Sequence, residues 1–485
     1  MPPSKGFWKS NIQNSQGGSQ KSEFAQAKTS GLSLSTYDYP FHFPPSKSKH
    51  PPPANCMPVE ILGEIFTQFL QMGDFVTEPD AFNLSVSPDW VASPMVLGQV
   101  CGYWRSIALS MPSLWCSISV SSPVRGVVPR IQTWLERAGQ HPLKIFVEQS
   151  VRPDVAEEAV TDEIFALLMQ RYHHWEHITF KVYGRMIESL VNIPDTPSPF
   201  LTSALLDLWW NEAVVDRIWS VLNSSPKLSH VNWNDVYSHV RHLPTHIPWN
   251  QLEDVALSHY FDINEFCSFL EQCSRLERLQ VNWIYRRHGF SPEPCAPILL
   301  THLRHLSICA RTSLDPVFNR FMMPALTSMS LNYDLPMKES RGASEFGDLL
   351  RRSSCTLKFF KIYDPEGVDF FDFLRHSHRQ LNSLEDLHVR TTIPYEVTAA
   401  LTLNSTNKFQ WLPRLKKLKL AGCSSPEGII KMISSRLPPH IKNLETEALT
   451  SAWVEINAND LPSELDAFRR VKRGGVQIEL RCTGD

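Results

Sequence analysis

A short apolar frame, L-x-x-L-x-L with any apolar residue at the three fixed places, recurs ten times in this 485-residue protein. Successive copies begin 30, 23, 24, 24, 27, 23, 31, 27 and 31 residues apart. A short strand motif that returns at such a period is typical of a repeat architecture, in which each unit buries its apolar side against its neighbours. The copies are Trp175-Ile178-Phe180, Leu205-Leu208-Trp210, Leu228-Val231-Trp233, Leu252-Val255-Leu257, Leu276-Leu279-Val281, Leu303-Leu306-Ile308, Leu326-Met329-Leu331, Leu357-Phe360-Ile362, Leu384-Leu387-Val389 and Leu415-Leu418-Leu420.

Helical apolar patterns lie between these copies, and they decide the fold class. They cover residues 162–172, 214–222, 263–273, 345–352, 368–376 and 427–437, with a strand predicted before the first copy at 141–147. Alternation of strand and helix predicts an α/β fold with parallel strands joined by helices. The alternative is a helix-rich protein in which the leucines are only amphipathic faces; ten copies with period-two endings favour the repeat.

The two ends of the protein differ from the repeats. Residues 1–56 contain eight Pro, ten Ser, six Lys and only two acidic residues. Such a segment buries too little apolar surface to offset the entropy of ordering, so we expect it to be a disordered tail. At the other end, a helix over 464–473 and a strand over 476–480 predict a cap formed by residues 463–485.

A separate helical module is predicted before the repeats, over residues 57–120. Residues 58–70 carry a broad apolar face, and a second helical pattern opens at Pro94 and ends near Met111. So small a unit has a thin core and more large apolar groups than it can bury alone, which suggests that it binds a partner. The repeat domain then extends over residues 121–462.

Composition and motifs exclude several functional classes. The formal net charge is -3, which argues against a nucleic-acid partner. A membrane-spanning helix needs about 20 consecutive apolar residues, and we find no such stretch. Ten scattered cysteines without a C-x-x-C pair indicate reduced thiols, so we expect a cytoplasmic or nuclear protein. His302, His305, Cys295 and Cys309 do not match a standard zinc spacing. No catalytic or phosphate-binding motif is present, and we expect neither an enzyme, a cofactor nor a metal site.

The helical module resembles an F-box of the variety found in mushroom-forming fungi. The resemblance rests on residues 58–66, 97–108 and 112–115, and on the junction formed by residues 134–139 and 141–143. The repeats resemble the leucine-rich repeats that such proteins carry. The expected architecture is therefore a small helical F-box module followed by an irregular leucine-rich-repeat solenoid with a parallel sheet.

This resemblance implies a function. Such a protein is the substrate-recognition subunit of a cullin-RING (SCF-type) ubiquitin ligase and has no catalytic residues of its own. Its F-box docks on a Skp-family adaptor, and its repeats bind the protein substrate. The residues expected to bind the adaptor are Pro58, Ile61, Leu62, Ile65, Phe66, Leu97, Val100, Trp104 and Arg105. Among them, Pro58, Leu62 and Ile65 are the better candidates for direct contact, whereas Trp104 is expected to lie mainly in the core.

The substrate surface is expected on the concave face of the solenoid. Residues that alternate with the buried strand leucines point to that face, and they are polar with scattered aromatics. Most such residues belong to an ordinary solvated surface, because few residues carry the binding energy of an interface. The candidates selected from this face are Trp209, Arg278, Asn282, Tyr363, His388 and Arg390.

The sequence departs from the family pattern in two places. The repeats lack a regular Asn ladder, since only Cys423 fits that position, and this predicts an irregular solenoid. The segment 73–93 is longer than the loop of a minimal F-box, and this keeps an alternative function open. The alternative is a non-degradative interaction scaffold, in which the F-box-like module only caps the N-terminal end of the solenoid. The substrate itself is not specified by the sequence.

Overall fold

A computed structural model describes most of the residues that follow Cys56. The described residues are 57–71, 94–233, 246–258, 261–285, 297–333, 342–364, 370–403, 410–423, 426–437, 446–457 and 477–483. All of them belong to one compact unit, Met57–Asp485. The predictions for the tail 1–56, the loop 73–93 and the helix 464–473 lie outside the described residues.

The described residues form α-helices and β-strands that alternate along most of the sequence. The helices are α1 (Val59–Gln71), α2 (Pro94–Val100), α3 (Gly102–Ser110), α4 (Val128–Ala138), α5 (Val155–Met169), α6 (Glu188–Val191), α7 (Glu212–Asn223), α8 (Ile263–Leu270), α9 (Asp315–Arg320), α10 (Ala343–Ser353), α11 (Phe370–Ser377), α12 (Tyr395–Leu401) and α13 (Pro426–Ser435). The strands are β1 (Ser117–Ser121), β2 (Leu143–Glu148), β3 (Trp175–Val182), β4 (Ser203–Leu208), β5 (His230–Trp233), β6 (Asp254–Leu257), β7 (Phe261–Asp262), β8 (Arg278–Tyr285), β9 (Ile298–Leu299), β10 (His305–Ala310), β11 (Phe321–Met322), β12 (Ser328–Tyr333), β13 (Phe359–Tyr363), β14 (Asp386–Ile393), β15 (Lys417–Cys423), β16 (Ser451–Asn457) and β17 (Gln477–Thr483).

One large parallel sheet organises the molecule. Its strand order is β1-β2-β3-β4-β5-β6-β8-β10-β12-β13-β14-β15-β16-β17, with β7 paired to β8 at the side, and β9 and β11 form a separate two-stranded sheet. The end strands β1 and β17 do not pair with each other, so the sheet is open rather than a barrel. The predicted α/β class with parallel strands is confirmed.

The strand register follows the apolar frame in nine of the ten predicted copies. Leu279 pairs with Leu306, which pairs with Met329, so that equivalent apolar residues of successive strands form continuous rows. Two further copies occur at the ends of the series, Trp115-Ile118-Val120 before β2 and Leu449-Ala452-Val454 after β15. The sheet therefore begins inside the segment 57–120, for which the sequence predicts only helices.

The frame predicted at Leu205-Leu208-Trp210 is wrong. Ala204 pairs with Ile178 and Val231, and this register places the frame four residues earlier, at Leu201-Ala204-Leu206. Leu205 lies in the row of the polar residues Thr179 and Asn232 instead. The small Ala204 gives a weak apolar signal, so the pattern favours the larger Leu208 in its place.

The helices cover one face of the sheet. Phe165 of α5 packs edge-to-face on Phe180 of β3, with ring centroids 4.8 Å apart, and Trp219 of α7 packs in the same way on a Trp of β5 at 5.0 Å. Farther along, Phe346 of α10 stacks on a Phe of β13 at 5.1 Å. The strand residues in these pairs all occupy the buried rows. The alternating rows point to the opposite face, which we call the polar face.

The helical module is joined to the sheet through Trp115. Its indole Nε1 donates a hydrogen bond to the backbone carbonyl of Ala108 over 2.9 Å, and its ring packs on Trp134 of α4. The Arg137 guanidinium lies 4.2 Å from the Trp115 ring centroid. These contacts place α1–α3 against α4 beside β1.

The second predicted helix of this module is in fact two helices. The backbone is extended at Cys101, whose Sγ accepts a hydrogen bond from the backbone N–H of Trp104 and thereby caps α3. The predicted helix 162–172 also differs from α5, which begins at Val155 because the Asp154 carboxylate caps it by accepting a hydrogen bond from the N–H of Glu157. The last predicted strand, 476–480, corresponds to β17 and is confirmed.

Candidate functional site

A groove of about 520 Å³ lies on the polar face, over the C-terminal half of the sheet. Side chains of β8, β10, β12, β13, β14, β15 and β16 line it. Four of the six predicted substrate residues, Asn282, Tyr363, His388 and Arg390, are among these side chains. The volume is in the range of cavities that hold a small ligand or a few residues of a peptide.

The parallel register arranges the groove in rows. Lys361, His388 and Lys419 occupy equivalent positions on β13, β14 and β15 and form one row. Tyr363 and Arg390 occupy the next outward row, two residues farther along their strands. Neighbouring strands lie about 4.8 Å apart, so these side chains are close neighbours although the sequence separates them by 25 to 31 residues.

Several groove side chains are held in place by contacts within the sheet. The Arg390 guanidinium lies 5.3 Å from the ring centroid of Tyr363, a cation–π geometry. His388 Nε2 lies 3.0 Å from Asp386 Oδ1, and its ring packs edge-to-face on Phe359. The Asn282 amide donates a hydrogen bond to Ser258 Oγ over 2.9 Å. These contacts restrict the side chains before any ligand binds.

The groove carries positive charge without an internal counterion. Lys361, Arg390 and Lys419 are exposed, and no carboxylate is among the described side chains that line the groove. None of the three forms an ion pair with another described residue, whereas Lys181 pairs with Glu148 at 3.0 Å on the same face. The arrangement suits an anionic ligand.

The other two predicted substrate residues lie elsewhere on the sheet. Trp209 follows β4 and packs edge-to-face on Tyr183 with ring centroids 4.9 Å apart. Arg278 Nε lies 3.6 Å from Asp254 Oδ2. Burial raises the pKa of Asp254 to about 7, although the neighbouring Arg278 favours the ionised form. Neither Trp209 nor Arg278 lines the groove.

The predicted adaptor residues separate into an exposed and a buried set. Ile61, Ile65 and Val100 are exposed by 53%, 41% and 59%, and Pro58 and Arg105 are also exposed. The buried set comprises Leu62, Phe66 and Leu97.

Four of the predicted adaptor residues, Leu62, Phe66, Leu97 and Trp104, contribute to the core of the module. Trp104 is half-buried, with its ring 5.0 Å from that of Phe66. Leu62, which the sequence places among the better candidates for direct contact, is fully buried. Its side chain therefore packs inside the module rather than forming part of its surface.

The predictions from sequence omit exposed residues in both the helical module and the groove. Val59, Met95 and Leu109 are exposed apolar side chains of the module that are absent from the predicted adaptor residues. Lys361 and Lys419 are predicted as polar-face positions but not as substrate candidates. What distinguishes these two lysines is that neither has an ion-pair partner among the described residues. That property depends on the residues of the neighbouring strands, so the sequence alone does not show it.

The described residues include histidines, acidic residues and free cysteines. No group of three or more His, Cys, Asp or Glu side chains among them is placed to hold a metal ion. Burial raises the pKa of Cys116 and Cys355 to about 11 and that of Cys273 to about 12, so these thiols stay protonated near neutral pH. In the same part of the molecule, no helix has the length and apolar character needed to cross a membrane.

No protein-family model matches the sequence, and no curated protein matches it.

Proposed function

We propose that the protein is the substrate-recognition subunit of a cullin-RING ubiquitin ligase. In this role α1–α3 dock on a Skp-family adaptor, and the polar face of the sheet binds the protein substrate. The protein performs no bond-breaking step itself. It raises the effective concentration of the substrate's lysines near the ubiquitin-conjugating enzyme that the ligase recruits.

The observation that carries this proposal is the density of exposed apolar side chains on the helical module. Thirteen large apolar side chains are exposed among the described residues, and six of them lie on α1–α3. These helices contain 13, 7 and 9 residues, a small part of the described structure. Concentrated exposed apolar surface marks a protein interface. Together with the F-box-like residues 58–66 and 97–108, it supports an adaptor as the partner.

Ile61 and Ile65 are the side chains to test first. They are four residues apart on α1 and therefore neighbours on one side of the helix. Their buried neighbours Leu62 and Phe66 hold α1 against α3, so an aspartate at either of those two positions would unfold the module and leave loss of binding ambiguous.

The test is co-purification of the full-length protein with the Skp-family adaptor of its host. The double variant Ile61→Asp, Ile65→Asp is compared with Val151→Asp, Val155→Asp, which introduces the same charges at exposed valines outside the module. We expect the first variant to lose adaptor binding by about 100-fold or more, since burying two unpaired charges is costly. The control should bind like the unmodified protein.

Two results would overturn the proposal: an unmodified protein that does not bind the adaptor, or equal binding by the two double variants. Either would favour the alternative, an interaction scaffold whose module only caps the sheet. The contacts of Trp115 with Ala108 and Trp134 fit that alternative, because they hold the module beside β1. Six exposed apolar side chains on a mere cap would remain unexplained.

A further inference from the structure

The groove on the polar face has a charge pattern that narrows the class of ligand it fits. Lys361 and Lys419 lie on either side of His388 in one row, on strands β13 and β15. Two inter-strand spacings of about 4.8 Å separate the backbones of the two lysines by about 10 Å. Arg390 lies two residues beyond His388, about 7 Å along β14. The cations are therefore spread over the groove rather than gathered at one point.

Some other cations on or beside the strands have carboxylate partners, whereas the three groove cations have none among the described residues. Lys181 pairs with Glu148 at 3.0 Å, and Lys416 pairs with Glu385 at 3.3 Å. The carboxylates nearest in the register to the groove cations do not line it. Asp386 lies 3.0 Å from His388 Nε2, and Glu455 is on β16, beyond the strand that carries Lys419.

Mutual repulsion of three cations in a groove is relieved when a bound anion supplies the missing charges. A single compact anion would use one or two of these cations. An extended peptide places alternate side chains about 7 Å apart, so successive acidic side chains can each reach a different groove cation across the about 10 Å between Lys361 and Lys419. A peptide with several Asp and Glu residues therefore matches the pattern, and Tyr363 and Trp453 offer flat surfaces for its backbone and intervening side chains.

We propose that the groove binds an acidic peptide segment, with several Asp or Glu side chains, and that Lys361, Arg390 and Lys419 pair with its carboxylates. This inference deepens the proposed function, since it names the chemical class of the substrate segment. It rests on the proposed function only in identifying the bound peptide as part of a ligase substrate.

Direct binding to the purified full-length protein tests the inference without any adaptor. A fluorescent peptide of alternating Glu and Ser is compared with the same peptide carrying Gln in place of Glu. We expect binding of the acidic peptide only, and weaker binding as salt is raised, because exposed charges are screened. If the acidic peptide does not bind but the adaptor does, only this inference is refuted. If the peptide binds but the adaptor does not, only the proposed function is refuted.

Matched variants locate the site. The double variant Lys361→Gln, Lys419→Gln should weaken binding of the acidic peptide by tenfold or more, roughly the effect of losing one or two charge-assisted contacts. The control Lys417→Gln removes an exposed lysine of the same strand β15 that does not line the groove, and it should leave the affinity unchanged. Unchanged circular dichroism and thermal midpoints would show that all variants are folded.

Three outcomes would overturn the inference. One is equal loss of binding in Lys417→Gln and in the double variant, which would indicate a non-specific charge effect. Another is tighter binding of a peptide with a single phosphoserine and no other acid, which would assign the groove to a compact anion. The third is tighter binding of a single-stranded RNA of the same net charge.

Discussion

Asp254 provides a stability prediction that depends on pH in a defined direction. The residue begins β6, in register with Arg278 of β8, and it is 9% exposed. Its Oδ2 is 3.6 Å from Arg278 Nε, too far for a hydrogen bond, and its Oδ1 has no hydrogen-bond partner in the described structure. Burial raises the pKa of this carboxyl from 3.8 to about 7.

The magnitude follows from the difference between the folded and unfolded pKa values. The folded state holds the proton more tightly than the unfolded state, so the free energy of unfolding falls as the pH rises from about 4 to about 7. Each pKa unit corresponds to about 1.4 kcal/mol, so ionised Asp254 destabilises the fold by about 4 kcal/mol at pH 8. At pH 5 the same calculation gives about 2 kcal/mol.

The variant Asp254→Asn keeps the shape of the side chain and removes its charge. We expect it to raise the free energy of unfolding by about 4 kcal/mol at pH 8 and by about 2 kcal/mol at pH 5, measured by urea denaturation with tryptophan fluorescence. Asp195→Asn is the control, because the side chain of Asp195 is 78% exposed and should give little change at either pH. A gain that is the same at both pH values, or a loss at pH 8, would refute the reasoning.

Three further substitutions test packing and hydrogen bonding. Arg436 is fully buried and donates hydrogen bonds of 2.8 to 2.9 Å to three backbone carbonyls, so Arg436→Met should lower the free energy of unfolding in urea by about 3 kcal/mol or more; an unchanged midpoint would contradict this. A Cβ on Gly347 would lie 2.6 Å from the backbone carbonyl of His376, so Gly347→Ala should cost about 1–3 kcal/mol in a thermal unfolding assay, whereas Gly126→Ala, which meets nothing within 4 Å, should not; equal midpoints would count against the packing argument. Trp115→Phe removes the hydrogen bond to the α3 carbonyl and should speed hydrogen exchange in α3, while unaltered exchange would show that this bond does not hold the module in place.

The repeat could be recognised from sequence because burial alternates along the strands. Large apolar residues at the buried rows predict the correct frame for nine strands of the series. The frame fails where the buried residue is small, as at Ala204 and Ala452. The copy that begins at Trp115 is missed because residues 57–120 are predicted as a helical module. Residues on neighbouring strands fill the space at a buried position together, so a small residue on one strand is compensated by larger residues beside it. A single sequence does not show which residues lie beside each other.

The groove could be predicted only in part, for a related reason. Tyr363, His388 and Arg390 are recognisable as polar-face positions, and the in-register strands bring them together. Whether a cation has a carboxylate partner depends on the strand beside it, so the sequence favours the paired Arg278 and overlooks Lys361. In the module, helical periodicity identifies the apolar face of α1 but not which edge of it packs inward.

The regular strand order sets the distance between the helical module and the groove. Nine inter-strand steps lead from β1, beside the helical module, to β13 at the groove. At about 4.8 Å per step, the path along the sheet is about 43 Å. Each strand–helix unit therefore contributes one strand spacing to the distance between the module and the groove. Removing one unit between the two surfaces would shorten the path by a single strand spacing and leave both surfaces intact. Evolution or design could adjust in this way how far a captured segment is held from whatever docks on the module.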